Sequence, residues 1–146
     1  MKLLFIMALA NHLNDYSMSS RLAAKEAGFE FHIASNWNYL SVLEKDEDEK
    51  QHGIRIHQID FQRSPLHPGN LRAYRQLSRI VKKEKFDVIH CNTPTGGVLG
   101  RIIGIRHRIN KVIYQAHGFH FYQGAPTKNW LLYYPVEKIL AQNFRP

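Results

Sequence analysis

Residues 115–126 read Gln-Ala-His-Gly-Phe-His-Phe-Tyr-Gln-Gly-Ala-Pro, so imidazole, glycine and aromatic rings follow directly on a short apolar run. Imidazole titrates near neutrality and hydrogen-bonds in either sense, which suits contact with a sugar hydroxyl or a phosphate oxygen. Gly118 leaves room for a ligand beside His117, and His117 is the leading catalytic candidate. The competing reading is a half-buried histidine bonded to a backbone carbonyl; a position at a strand end narrows it. His117-x-x-His120, with His90-Cys91 upstream, invites a metal, but no third ligand or acidic partner recurs at useful spacing, so no metal is expected. Cys91 reads as a buried structural residue rather than a nucleophile, and as the only cysteine it excludes an intrachain disulfide framework. A second candidate region is Cys91-Asn92-Thr93-Pro94-Thr95-Gly96-Gly97, where adjacent glycines open a helix. Amide N–H groups at such a place bind anions, or the glycines simply allow close helix-to-sheet packing; both readings stand.

The motifs that are missing narrow the chemistry further. The segment after the first apolar run, Ala10-Asn11-His12-Leu13-Asn14-Asp15, lacks the Gly-x-Gly-x-x-Gly that lets backbone approach a pyrophosphate, which disfavours a dinucleotide enzyme. Neither a Gly-x4-Gly-Lys-Ser/Thr loop nor a Gly-x-Ser-x-Gly elbow occurs, which removes P-loop NTPases and serine hydrolases of that type.

Positioning these residues requires elements, and apolar runs alternate with amphipathic stretches along the whole chain. Strands are expected at 3–9, 30–35, 54–59, 86–91 and 111–116, and helices at 15–27, 71–85, about 96–107 and from 127 to about 141. The run 3–10 reads as a buried strand rather than a signal peptide. Asp15 and Asn70 are candidate helix caps, as is Thr93 or Thr95, and Gly28 can end the first helix. Leu71, Tyr74, Leu77 or Ser78, and Val81 mark one inner helix face; Val98, Ile102 and Ile105 mark another. The stretch 44–50 reads as a polar surface loop. Strand, helix, strand in this repetition implies right-handed crossovers and a parallel sheet covered on both faces, in one α/β domain spanning 1–146. The fold class is a Rossmann-like doubly wound sheet of about five strands in the order 3-2-1-4-5, with ligands at the carboxyl ends of strands 1 and 4.

Charge is uneven. Of 146 residues, the first 52 hold 5 Lys/Arg against 8 Asp/Glu, and the remainder 15 against 4, so the basic part attracts phosphate-bearing partners without choosing among them. Arg72, Arg75, Arg79, Lys82 and Lys83 form a stripe on one helix, to which Arg101 and Arg108 add, and such helices suit anionic lipid headgroups. Aromatic residues cluster near 119–134 instead of interleaving with the stripe, which disfavours nucleic acid. No apolar run approaches the roughly 20 residues that cross a bilayer.

Two segments, RSPLHPGNLRAYRQLSRIVKKEKFDVIHCNTPTGGVLGR and KVIYQAHGFHFYQGAPTKNWLLYYPVEK, closely resemble the N-terminal domain of family 4 glycosyltransferases, nearest to those that build bacterial capsular and exopolysaccharides. The resemblance implies half of a GT-B architecture, in which this domain receives the acceptor and a second Rossmann-like domain binds the sugar nucleotide across a cleft. It implies transfer with retention of anomeric configuration to a lipid-linked or polysaccharide acceptor, with the nucleotide sugar as substrate and no cofactor. Carried over by position, His117 meets the donor sugar, with Gly118 and His120 beside it. Asn11 and His12 lie below the donor phosphates; Thr93, Gly96 and Gly97 line the cleft near the acceptor, and Arg63 meets an acceptor phosphate. The family's frequent His-Cys-His-Thr-Pro reads His90-Cys91-Asn92-Thr93-Pro94 here, which puts a contact at Asn92 in doubt. The sequence stops at Pro146, so the chain alone is expected to be inactive, its donor-binding half lost or supplied by a partner chain. The expected setting is the cytoplasm, with contact at the inner face of the plasma membrane. The rival is a noncatalytic module that docks on membranes or other anions.

Overall fold

The structure is a computed structural model that describes residues 1–10, 12–38 and 42–142, with the side chains of Val42 and Leu43 left aside. Five strands, β1 (Lys2–Leu9), β2 (Glu30–Asn36), β3 (Arg55–Gln58), β4 (Val88–Asn92) and β5 (Lys111–Gln115), pair in parallel in the order β3-β2-β1-β4-β5. This is the expected order, and its winding reverses between β1 and β4. Residues 3–8 of β1 are buried without interruption, as a central parallel strand with both faces covered must be.

The helices are α1 (Asp15–Glu26), α2 (Val42–His52), α3 (Asn70–Glu84), α4 (Pro94–Arg106) and α5 (Thr127–Gln142). One face of the sheet, with Leu4, Ile6 and Ile89, packs on Ala73, Leu77 and Val81 of α3 and on Leu99 and Ile103 of α4. The opposite face, with Phe5, Ile33 and Val88, packs on Ala24 of α1.

Several local expectations are corrected. The stretch expected as a loop at 44–50 lies inside α2, because Glu and Lys are good helix formers and Glu44 near its start and Lys50 near its end complement the helix dipole. The carboxylate of Glu49 then accepts from the Ile56 N–H at 2.6 Å and pins the start of β3. The cap of α1 is Asn14 rather than Asp15: Asn14 Oδ1 accepts from the Ser17 N–H and Ser17 Oγ accepts from the Asn14 N–H, a reciprocal pair that a neighbouring Asp cannot make. Asn70 opens α3 without capping it. Its side chain is used on the preceding loop, accepting from the Gln62 N–H at 2.9 Å and donating to the Ser64 carbonyl at 2.8 Å. Leu71, expected inside, is exposed, and Ala73, Leu77 and Val81 carry the inner face.

The largest correction is α4. Ile102 and Ile105 point outward, and the buried side is Gly96, Gly97, Gly100 and Gly104 with Leu99, Arg101 and Ile103. A Cβ on Gly97 would run into the Tyr114 ring, and one on Gly100 would lie 2.8 Å from Cys91 Cβ. The glycines are therefore a seam along which the helix axis settles against the sheet, and close packing accounts for Gly96 and Gly97 directly. The apolar periodicity of the isoleucines misleads because glycines occupy much of the inward face of this helix, between Leu99, Arg101 and Ile103.

Candidate active site at the carboxyl edge

The residues of interest meet where β1, β4 and β5 end. Thr93 links β4 to α4 with φ +64°, a left-handed backbone that a β-branched residue adopts only under compulsion. Its Oγ1 accepts from the Ala8 N–H at 3.0 Å and the Gly96 N–H at 3.3 Å, so one hydroxyl ties the end of β1 to the head of α4. Thr95 is fully buried and donates from Oγ1 to the Arg63 carbonyl at 3.0 Å, which holds the Arg63 loop over the same helix end while the Arg63 side chain is exposed.

His117 stands two residues beyond β5 and is exposed. Its Nε2 donates to Asn92 Oδ1 across 2.7 Å, and its ring lies 4.2 Å from that of Tyr16 on α1. Gly118 follows with φ +138°, a conformation that favours glycine and swings the chain away after the imidazole. Below this pair, Ser20 Oγ and His90 Nδ1 are 2.9 Å apart. Burial holds His90 below the ordinary imidazole range, against the opposing pull of its hydrogen bond with Gln115. His90 and Asn92, two apart on β4, thus share a sheet face with Tyr16 and Ser20, four apart on α1.

Of the residues singled out from sequence, Thr93, Gly96, Arg63 and His117 gather at this edge, with Gly96 and Gly97 buried under it. His120 turns elsewhere: its ring lies edge-on to Tyr133 of α5 at 4.6 Å, and its carbonyl accepts from Asn129 Nδ2. His12 is exposed, and Asn11 lies outside the described residues. Tyr16, Ser20, His90, Asn92 and Gln115 were not singled out as site residues. The i, i+4 spacing of Tyr16 and Ser20 and the His-x-Asn alternation on β4 are the signals that could have found them.

Beside Tyr16, where α1 ends its cover, the sheet leaves a largely apolar groove of about 510 Å³ lined by Ala24, Val88, His90, Ile113 and Gln115 among others. On the other face Arg101, expected in the basic surface, is buried; its guanidinium chelates the Glu137 carboxylate at 2.8 Å and lies 4.1 Å over the Tyr114 ring. Burial pushes the Cys91 thiol up to about 12, so it supplies no thiolate near neutral pH. Among the described residues no three His, Cys, Asp or Glu side chains are grouped to hold a metal, and no helix is long and apolar enough to cross a membrane.

The model of the glycosyl transferase 4-like family matches residues 5–145, nearly the whole chain. The chain belongs to that family. The "Putative glycosyltransferase EpsD" of Bacillus subtilis (strain 168) is 42% identical over 142 residues, covering 96% of this chain and 35% of EpsD. A UDP-Gal:alpha-D-GlcNAc-diphosphoundecaprenol alpha-1,3-galactosyltransferase of Escherichia coli is 31% identical over 72 residues, covering 49% of this chain and 18% of its own. MurG of Acinetobacter baumannii superposes with a TM-score of 0.60 at 15% identity over 97% of this chain and 39% of its own, a likeness that carries the fold, the Rossmann-like half of a GT-B architecture. This glycosyl transferase 4-like chain therefore spans about a third of the length of EpsD.

Proposed function

We propose that this chain is the acceptor-side half of a retaining glycosyltransferase, which moves a sugar from a nucleotide-sugar donor to a lipid-linked or polysaccharide acceptor of the capsular or exopolysaccharide kind. The observation that carries the reading is His117, presented at the carboxyl edge beside the winding reversal and anchored there through Asn92. Family membership over residues 5–145 supports sugar transfer, and the diphosphoundecaprenol acceptor in the name of the Escherichia coli relative supports a lipid-linked acceptor. His117 contacts donor hydroxyls, while Thr93 and the Arg63 loop border the acceptor side, and Asn11 and His12 lie toward the donor phosphates. Catalysis of this kind rests on orienting two substrates and stabilising a leaving diphosphate, so one wall of the cleft is inactive alone. In enzyme reconstituted with a donor-binding half, His117→Ala lowers turnover at least about tenfold with an unchanged melting temperature. Wild-type turnover by that variant removes His117 from the site, and robust transfer by the isolated chain overturns the half-enzyme reading.

The same reading places the protein in the cytoplasm against the inner face of the plasma membrane. Arg75, Arg79, Lys82 and Lys83 of α3 are exposed together, and Arg72 beside them shares its charge with Asp60 at 2.9 Å. Vesicles with anionic headgroups carry the protein upward in flotation at low salt and release it at about 0.5 M salt, where screening is short-ranged. Equal flotation with neutral vesicles removes the electrostatic contact; strong anionic flotation by a chain with no transferase role favours the noncatalytic module.

A further inference from the structure

We propose that Asn92 is a positioning residue that fixes the tautomer of His117, so that the imidazole offers the cleft a bare lone pair and meets a hydroxyl donor rather than a phosphate oxygen. The inference rests on the reading of His117 given above, and its own evidence is geometric. Asn92 is 2% exposed, and its Oδ1 lies 2.7 Å from His117 Nε2. An amide oxygen only accepts, so the shared hydrogen sits on Nε2 and a neutral ring keeps Nδ1 unprotonated. Nδ1 has no hydrogen-bond partner among the described residues, and the residue is exposed.

The other end of the same amide is consistent with this. The amide nitrogen of Asn92 is buried without a hydrogen-bond partner. Interiors rarely tolerate a half-paired amide, so an asparagine kept only for packing would have both ends satisfied or be replaced by an apolar side chain. Its value here lies in the oxygen end, which grips His117. Tyr16 adds a second restraint: its ring, tilted 51° to the imidazole, limits rotation about the held Nε2. The ring is thus fixed in place by β4 and in plane by α1. The titratable groups that face it are His90 on β4 and Tyr16 on α1.

The test starts with the 146-residue chain, labelled with nitrogen-15 at histidine and observed by two-bond proton–nitrogen correlation near pH 8. His117 is expected wholly as the Nε2–H form in the wild type, and as a mixture in Asn92→Leu. Asn92→Asp retains the acceptor, restores the single tautomer, and raises the His117 titration midpoint by about one pH unit relative to wild type, as a new adjacent carboxylate does. An Nδ1–H form in the wild type overturns the proposal, as does an unmoved midpoint in Asn92→Asp, which needs no folded Leu variant. In the reconstituted enzyme, Asn92→Leu lowers kcat about tenfold with little change in KM and adds nothing to His117→Ala. Wild-type turnover in His117→Ala with the tautomer results intact sinks the functional reading and leaves the positioning one standing.

Discussion

Glu137→Ala lowers the stability of the fold by about 3 kcal/mol, measured by urea unfolding at neutral pH, because it strands a buried cation. The Arg101 side chain is 5% exposed and makes three charge-assisted bonds, two to Glu137 and one from Nε to the Gly97 carbonyl at 2.8 Å. Guanidinium does not shed its proton on burial, so the site has no route to neutrality once the carboxylate is gone. The loss is concentrated on α5, in which Leu140 is the one buried residue among those described. Arg101→Met combined with Glu137→Leu recovers most of the stability, because a desolvated pair costs nearly as much to bury as its attraction returns. A Glu137→Ala variant within about 1 kcal/mol of wild type shows that solvent reaches the guanidinium and that the pair is peripheral.

Acidification from pH 7 to pH 4.5 destabilises the fold through a pair of histidines remote from the carboxyl edge. His57 Nε2 lies 2.8 Å from His32 Nδ1, and His32 Nε2 lies 3.0 Å from Glu30 Oε1, with the two imidazoles stacked at 14°. Burial, then the charge of the neighbouring His32, pushes His57 down from 6.5 to about 4; burial lowers His32 as well, against the pull of Glu30. Between those two pH values the unfolded chain binds a proton that the folded chain refuses. The stability His57 contributes is therefore complete above about pH 6.5 and is lost as pH falls toward 4. Allowing for residual solvent at the ring, the loss is about 2 kcal/mol. His57→Gln can still donate to His32 Nδ1 but does not titrate, so its unfolding free energy falls less over the same interval. Parallel pH profiles for the variant and wild type assign the acid sensitivity to other groups.

Much of the architecture was legible because its signals are local and repeated. Apolar runs with helical stretches between them specify parallel strands, and right-handed crossovers leave few strand orders. The edge at which His117 stands follows from that order alone. What was not legible is what the tertiary fold creates. Nothing near Arg101 announces that a carboxylate 36 residues later will neutralise it, and a basic residue on a helix is ordinarily solvated. The inward face of α4 was misread because hydrophobic periodicity looks for large residues, while glycines take up much of this interface around Leu99, Arg101 and Ile103. Asn92 stood in doubt because it departs from the family's His-Cys-His-Thr-Pro pattern, and sequence does not show the imidazole that the fold brings within 2.7 Å of its oxygen. The stretch 44–50 was misread for a simpler reason: charge density was taken as a sign of irregular structure, although Glu and Lys favour helix.

The glycine seam of α4 also bears on how the cleft wall comes into existence. Each glycine in a helix interior costs about 1 kcal/mol relative to alanine, and four of the thirteen residues of α4 are glycine. A segment so composed has little helical life of its own in water. Its helical form rests on the surface that β1, β4 and β5 offer, so the turn carrying Thr93 keeps its shape through packing against the sheet rather than through any preference of α4 itself.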